Sequence, residues 1–130
     1  MTPQTKRSFR LAAPFLLSLI ALLSACGGGY GSGGSGGSSA AAPGATVIGW
    51  FVGATNVQTT VTAGTTVQWK ATDGMVHTVT SSSTLSAFAE LNVPGNGFSS
   101  PMTFNTPGSY PYFCSIHGAR VMNGTLTVTP

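Results

Sequence analysis

The stretch "PGSYPYFCSIHGARVMNGTLTV", residues 107 to 128, decides the fold and carries three chemically unusual side chains. It opens with a Pro-Gly turn, continues as an aromatic strand that ends at Cys114, and closes with the alternating strand GTLTV. Between these strands Cys114, His117 and Met122 follow the spacing Cys-x2-His-x4-Met. A single tight loop can turn all three side chains toward one point, so the stretch predicts most of a metal site.

The sequence on either side of this stretch predicts an all-β fold. From residue 45 onward no run has helical periodicity, and short segments rich in Val, Thr and aromatic residues alternate with turn residues. About seven short strands in about 86 residues predict a Greek-key β-sandwich of seven to eight strands. Residues 83 to 99 are the least regular part, and we expect either a short helical turn at 85 to 91 or a loop. The expected strands span residues 45 to 52, 57 to 62, 66 to 71, 76 to 82, 100 to 104, 109 to 114 and 124 to 129.

The fourth ligand of such a metal site must come from elsewhere in the chain. The chain has 2 histidines, so His77 is the only histidine besides the one in the loop. One thiolate, two imidazoles and a thioether are the donor set of blue-copper electron-transfer sites, whereas zinc favours four strong ligands. Alone, each residue has an ordinary explanation, such as a buried Cys or a core-filling Met. Their joint placement favours a single copper ion that alternates between Cu(I) and Cu(II).

Two motifs make the chain resemble a known family. The stretch "VTAGTTVQWKATDGMVHTVTS", residues 61 to 81, and the opening stretch are similar to the ligand motifs of the plastocyanin-like blue-copper proteins, the cupredoxins. The resemblance covers about residues 45 to 130. It implies that His77, Cys114 and His117 are the equatorial copper ligands and that Met122 is the axial ligand.

The resemblance also implies roles for residues around the ligands. Thr78 stands where many family members have an asparagine that ties the two ligand loops together, and we expect its hydroxyl to bond toward Ser115. In the family, electrons leave through the exposed edge of the loop histidine, which is His117 here. The residues expected to form this electron-transfer surface are small or apolar: Met75, Gly118 and Ala119, with Gly74 beside them.

The charges exclude a nucleic-acid partner. The formal net charge is +3, but Lys6, Arg7 and Arg10 all lie in the first ten residues, and the net charge beyond them is zero. A nucleic-acid-binding face requires a basic stripe, which the folded part lacks. The two acidic residues, Asp73 and Glu90, are too far apart in sequence to suggest paired acid–base chemistry.

The amino terminus predicts export and a lipid anchor. A cationic start precedes an apolar run that is too short to span a membrane. The run ends in "LSAC", residues 23 to 26, which resembles the bacterial lipobox. We therefore interpret residues 1 to 25 as a lipoprotein signal peptide and Cys26 as the lipidated residue. The alternative is ordinary cleavage near residues 40 to 42, which would discard Cys26. Either way Cys114 has no disulfide partner, and a metal would occupy its thiol.

Residues 26 to 44 are predicted to tether the domain, residues 45 to 130. They hold nine of the 18 glycines and little that could pack. As a random coil such a tract reaches about 25 Å. The protein would thus be held on a membrane and face the periplasm or the cell exterior. Gly27 lacks the aspartate that retains lipoproteins in the inner membrane, which favours the outer membrane in a cell with two membranes.

Together these features predict a monomeric, membrane-tethered blue-copper protein that carries single electrons between redox proteins, such as a cytochrome or an oxidase or reductase. It is not expected to be an enzyme, because four protein ligands leave the copper no open position. Two alternatives stay open: a copper storage, delivery or resistance module that uses the same ligands, and a metal-free adhesive β-sandwich on a lipid anchor.

Overall fold

The computed structural model describes residues 37 to 130, which form eight β-strands. Within this part of the chain no helix is long and apolar enough to cross a membrane. The strands are β1 (Thr46–Trp50), β2 (Val57–Thr62), β3 (Thr65–Ala71), β4 (His77–Ser81), β5 (Leu91–Val93), β6 (Met102–Phe104), β7 (Gly108–Phe113) and β8 (Asn123–Thr129).

The strands form two sheets, which confirms the predicted all-β sandwich. One sheet has the order β1-β3-β6 and the other the order β2-β8-β7-β4-β5. The pairs β1 with β3 and β2 with β8 are parallel, and the remaining pairs are antiparallel. Strands β1 to β4 therefore alternate between the sheets, whereas the sequence neighbours β4 and β5, and β7 and β8, lie side by side within the larger one.

The core lies between the sheets and is built on aromatic rings. On β3, the alternate residues Val67, Trp69 and Ala71 are fully buried, as expected when successive side chains point to opposite faces. The ring centroid of Tyr112 lies 5.2 Å from that of Trp50 and 5.2 Å from that of Trp69, in tilted and edge-to-face arrangements. Such pairs contribute about 0.5–1.5 kcal/mol beyond the area they bury, so this cluster fixes how the two sheets meet.

The antiparallel order of the larger sheet brings three strand ends together. Because β4 pairs antiparallel with β7 and β7 antiparallel with β8, the start of β4, the end of β7 and the start of β8 share one end of the sandwich. His77 begins β4, Cys114 directly follows β7 and Met122 directly precedes β8. We call this end of the molecule the ligand end.

The irregular segment 83 to 99 contains a strand that was not predicted. Residues Leu91–Val93 form β5 and pair with the start of β4. Leu91 and Val93 are buried, but three residues are too few to produce a recognisable alternation in sequence. Before β5 the chain forms a loop with a turn at residues 85 and 86, so the second of the two predicted alternatives is what the structure shows there.

Residues 37 to 44, the end of the predicted tether, contact the sandwich. Ser38 and Phe98 exchange two backbone hydrogen bonds of 2.9 and 2.8 Å. The backbone N–H of Ala42 donates to Oε1 of Gln68 at 2.6 Å. Gln68 is 1% exposed on the outer face of β3, so its amide needs such partners. The tether residues before residue 37, the predicted signal peptide and Cys26 lie outside the described residues.

Candidate metal centre

Three side chains converge at the ligand end. The ligand atoms of His77, Cys114 and His117 all lie within 4.8 Å of one another. Nδ1 of His77 is 3.2 Å from Nδ1 of His117, which in turn is 3.4 Å from Sγ of Cys114. His77 and Cys114 are fully buried, and His117 is partly exposed. Within residues 37 to 130 these three residues are the one such group of potential metal ligands.

A carboxylate fixes the orientation of the His77 ring. Nε2 of His77 lies 2.8 Å from Oδ1 of Asp73, so Nδ1 is the ring nitrogen that faces the other two ligand atoms. Asp73 also accepts hydrogen bonds from the backbone N–H groups of Val52, at 2.8 Å, and Met75, at 3.1 Å. Desolvation raises the pKa of Asp73, but the hydrogen bonds from Val52, His77 and Met75 outweigh it and lower the pKa to about 2.

Backbone hydrogen bonds shape the loop that carries the other ligands. The N–H of Gly118 donates to the carbonyl of Cys114 at 2.9 Å, and the N–H of Met122 donates to the carbonyl of Gly118 at 3.1 Å. Gly118 has φ 87°, a left-handed conformation that other residues adopt at a cost. The N–H of Cys114 donates to the carbonyl of Met122 at 3.1 Å, which closes the loop. The Met122 side chain is fully buried.

Hydroxyl groups connect the start of β4 to this loop. Oγ1 of Thr78 lies 2.8 Å from Oγ of Ser115, and the N–H of Ser115 donates to Oγ1 of Thr78 at 2.8 Å. The backbone N–H of Thr78 donates to Sγ of Cys114 at 3.4 Å. Thr78 and Ser115 thus join the two segments, at the position where many members of the resembled family have an asparagine.

The donor set fits copper. Thiolate and imidazole ligands together suit copper, and a buried trigonal His₂Cys arrangement is typical of blue-copper sites. Cys114 is also fully buried, so bulk water is excluded from its sulfur, and such burial further tunes a copper site.

Exposed apolar side chains lie close to the two histidine ligands in the chain, two just before His77 and one on either side of His117. Met75 and Ile116 are 47% and 55% exposed, and Val76 and Val121 are also exposed. Ala119 is exposed and Gly118 is half-buried. The residues expected to form the electron-transfer surface, Met75, Gly118 and Ala119, are therefore exposed or half-buried.

Sequence reasoning missed both carboxylates near the site. Asp73 precedes His77 by four residues within the Asp-Gly turn, and that short spacing could have indicated the contact. Glu90 accepts hydrogen bonds from the hydroxyls of Thr80 and Ser115. No sequence signal indicates the second contact, because it depends on β5 pairing with β4.

The chain is similar to known copper proteins. The model of the plastocyanin/azurin family of copper-binding proteins matches residues 55–129. Plastocyanin from Scenedesmus fuscus is 35% identical over 79 residues, which cover 53% of this chain and 79% of that protein.

Solved structures of amicyanin share the fold. An oxidized mutant of amicyanin aligns with a TM-score of 0.60 at 24% identity, covering 71% of this chain and 90% of amicyanin. A reduced mutant aligns with a TM-score of 0.59 at 23% identity, covering 74% and 94%. The cluster of His77, Cys114 and His117 fits a type 1 copper site, and copper is the cofactor. The chain belongs to the plastocyanin/azurin family of copper-binding proteins.

Proposed function

We propose that the chain holds one type 1 copper ion and carries single electrons between redox proteins outside the cytoplasm. The ligands are Nδ1 of His77, Sγ of Cys114, Nδ1 of His117 and the thioether of Met122. Bound copper supplies a one-electron Cu(II)/Cu(I) couple. The observation that carries the proposal is the convergence of three ligand atoms within 4.8 Å at a buried end of a sandwich.

The protein serves electron transfer by holding its ligands still. Asp73 holds the His77 ring through Nε2, and the hydrogen bond from Cys114 to Met122 closes the ligand loop. Ligands fixed in this way keep nearly the same positions in both oxidation states. Little reorganisation then accompanies each transfer, and this is the property that an electron carrier needs.

Electrons leave through His117 and its apolar surroundings. We propose that Met75, Gly118 and Ala119 form the electron-transfer surface, with Ile116 exposed beside them. A small apolar face suits brief contact with a partner such as a cytochrome, an oxidase or a reductase. The four copper ligands come from the protein, so substrate has no open position, and we propose a monomeric carrier without enzymatic activity.

We further propose that the chain is exported and anchored through a lipid on Cys26. The support is the cationic start, the short apolar run and the "LSAC" sequence, residues 23 to 26. The tether then keeps the domain near a membrane that faces the periplasm or the cell exterior, with the outer membrane favoured. Cys26→Ala should release the protein from membranes or block its processing. Unchanged partition into the membrane fraction would refute the anchor.

A copper titration tests the proposed site. Adding Cu(II) to the purified metal-free protein should give an intense blue thiolate-to-copper absorption that bleaches reversibly with a reductant. Cys114→Ser should abolish this absorption, because a hydroxyl cannot replace the thiolate. A colourless wild-type product would refute the electron-carrier function. Rapid loss of copper to a mild chelator would instead favour a storage or delivery module.

The fourth ligand has its own test. Met122→Leu should keep the blue absorption, because the thiolate is intact, but raise the reduction potential, because a donor that stabilises oxidised copper is removed. The measurement is a redox titration followed by visible absorption. An unchanged potential would argue against Met122 as a ligand.

A further inference from the structure

Glu90 stands at the end of a chain of hydroxyl groups that leads to the copper-binding sulfur. Its Oε2 accepts hydrogen bonds from the hydroxyls of Thr80 and of Ser115, the latter at 3.2 Å. Oγ1 of Thr78 lies 2.8 Å from Oγ of Ser115 and 3.2 Å from Oγ1 of Thr80. It also lies 3.9 Å from Sγ of Cys114, within reach of a hydrogen bond to sulfur.

The hydrogen-bond donors and acceptors among these hydroxyl groups and the Glu90 carboxylate can be assigned. A hydroxyl has one proton to donate, and an ionised carboxylate only accepts. Because Thr80 and Ser115 donate their protons to Glu90, both of their oxygens are left as acceptors toward Thr78. The N–H of Ser115 already donates to Oγ1 of Thr78. The Thr78 proton therefore goes to Ser115 at 2.8 Å, and not to the sulfur at 3.9 Å.

We propose that Glu90 is a positioning residue that keeps the Thr78 hydroxyl proton away from the Cys114 sulfur and thereby holds the reduction potential down. Hydrogen bonds to the cysteine sulfur tune the potential of such sites. A donor favours the reduced state, in which the thiolate carries more negative charge. The inference rests on the proposed ligands and adds a residue that touches none of them.

Removing Glu90 allows the hydrogen bonds between these hydroxyl groups to reverse direction. The Ser115 hydroxyl can then donate to Oγ1 of Thr78, and the Thr78 proton becomes available to Sγ of Cys114. Glu90→Ala should therefore raise the potential. We expect the ratio of reduced to oxidised protein at a fixed ambient potential to rise about three- to tenfold, where tenfold corresponds to about 59 mV for one electron.

Thr78→Val provides the decisive background, because valine has the shape of threonine without the hydroxyl. In this background Glu90→Ala should raise the potential by clearly less than in the wild type, since only the loss of its charge remains and no proton is left to redirect. The same rise in both backgrounds would show that Glu90 acts only through its charge and would overturn the proposal. Glu90→Gln loses the same negative charge but keeps an oxygen that can accept both hydroxyl protons, so its potential should rise clearly less than that of Glu90→Ala. A Gln variant that shifts as far as the Ala variant would also overturn it.

The metal-free protein gives a readout that does not depend on copper. Amide hydrogen exchange at Ser115, measured by NMR, should accelerate at least about threefold in Glu90→Ala, because the Thr78 hydroxyl that accepts from this amide is no longer anchored. Unchanged exchange would overturn the inference even if the wild-type protein binds copper. A wild-type protein that fails to give the blue absorption would instead refute the proposed function, so the two failures can be told apart.

Discussion

His77 reaches the metal centre from the start of a strand, whereas Cys114 and His117 reach it from one loop, which also carries the proposed ligand Met122. We call these two parts the strand half and the loop half of the site. The strand half is held by groups that are distant in sequence: the indole N–H of Trp50 donates to the carbonyl of Thr78 at 3.0 Å, inside the core. The loop half is held mainly by its own backbone, through the turns at Gly118.

The two halves of the site therefore depend on different parts of the molecule. The sandwich positions the strand half, so a substitution that destabilises the core should also disturb His77. The loop half takes its shape from local hydrogen bonds, so its sequence can change with little effect on the core. The four predictions below test this division, in order of decreasing expected effect.

Trp50→Phe should have the largest effect on stability, because Trp50 is a core residue that also holds the strand half. The change removes the hydrogen bond to the carbonyl of Thr78 and leaves a small cavity. We expect the free energy of unfolding of the metal-free protein to fall by about 2–4 kcal/mol in a urea titration. Trp69→Phe is the matched control, since Trp69 is equally buried but its Nε1 has no hydrogen-bond partner among the described residues. Equal losses in the two variants would contradict a role for the Trp50 hydrogen bond.

Gly118→Ala tests the loop half. A Cβ at this position meets nothing within 4 Å, so the cost comes from the left-handed backbone alone. We expect a loss of about 1–2 kcal/mol in the free energy of unfolding. Gly49→Ala, in β1 with open space around it and no positive φ, should instead be neutral or stabilise by up to about 1 kcal/mol. If both variants behaved alike in urea titrations, strain at Gly118 would not explain the shape of the loop.

Asp73→Asn tests the charge in the strand half. Asparagine can still accept the hydrogen bond from Nε2 of His77, so the ring keeps its orientation while a negative charge is lost. The oxidised site is the more positive one, so the potential should rise, by at most about 59 mV, a tenfold change in the redox ratio. Arg120→Gln removes an exposed positive charge from the loop and should lower the potential by less. A fall in potential for Asp73→Asn in a redox titration would contradict this account.

The smallest expected effect concerns ionic strength. Within residues 37 to 130 the two positive charges, Lys70 and Arg120, balance Asp73 and Glu90. The side chains of this part of the molecule therefore carry no net charge that could steer a partner. Electron self-exchange, followed by NMR line broadening in mixtures of oxidised and reduced protein, should change less than about twofold between low and high salt. A tenfold change would show that charge steers the encounter.

The sequence predicted the sandwich because its strands alternate clearly, and it predicted copper because four potential ligands, of three residue types, occupy two motifs. It could not predict β5, since a strand of three residues is too short to show a recognisable alternation of apolar and polar residues. Nor did the sequence indicate the proposed role of Glu90. Its contacts with Thr80 and Ser115 exist only because β5 lies beside β4, and a pairing between strands cannot be derived from local composition.

The segment before β1 shows a second limit of prediction. Ala42 looks like part of a featureless tether, yet its backbone satisfies the buried amide of Gln68. The glycine content of the whole tract concealed this contact, because composition averages over residues that behave differently.

The contacts of Gly37 show at which end of the sandwich the segment before β1 joins it. A Cβ on Gly37 would collide with Pro94, and the turn that follows Pro94 brings Gly95 against the carbonyl of Gly74. Gly74 adjoins Asp73, so the chain joins the domain at the ligand end. The proposed tether would therefore join the domain beside the ligand end, close to the proposed electron-transfer surface.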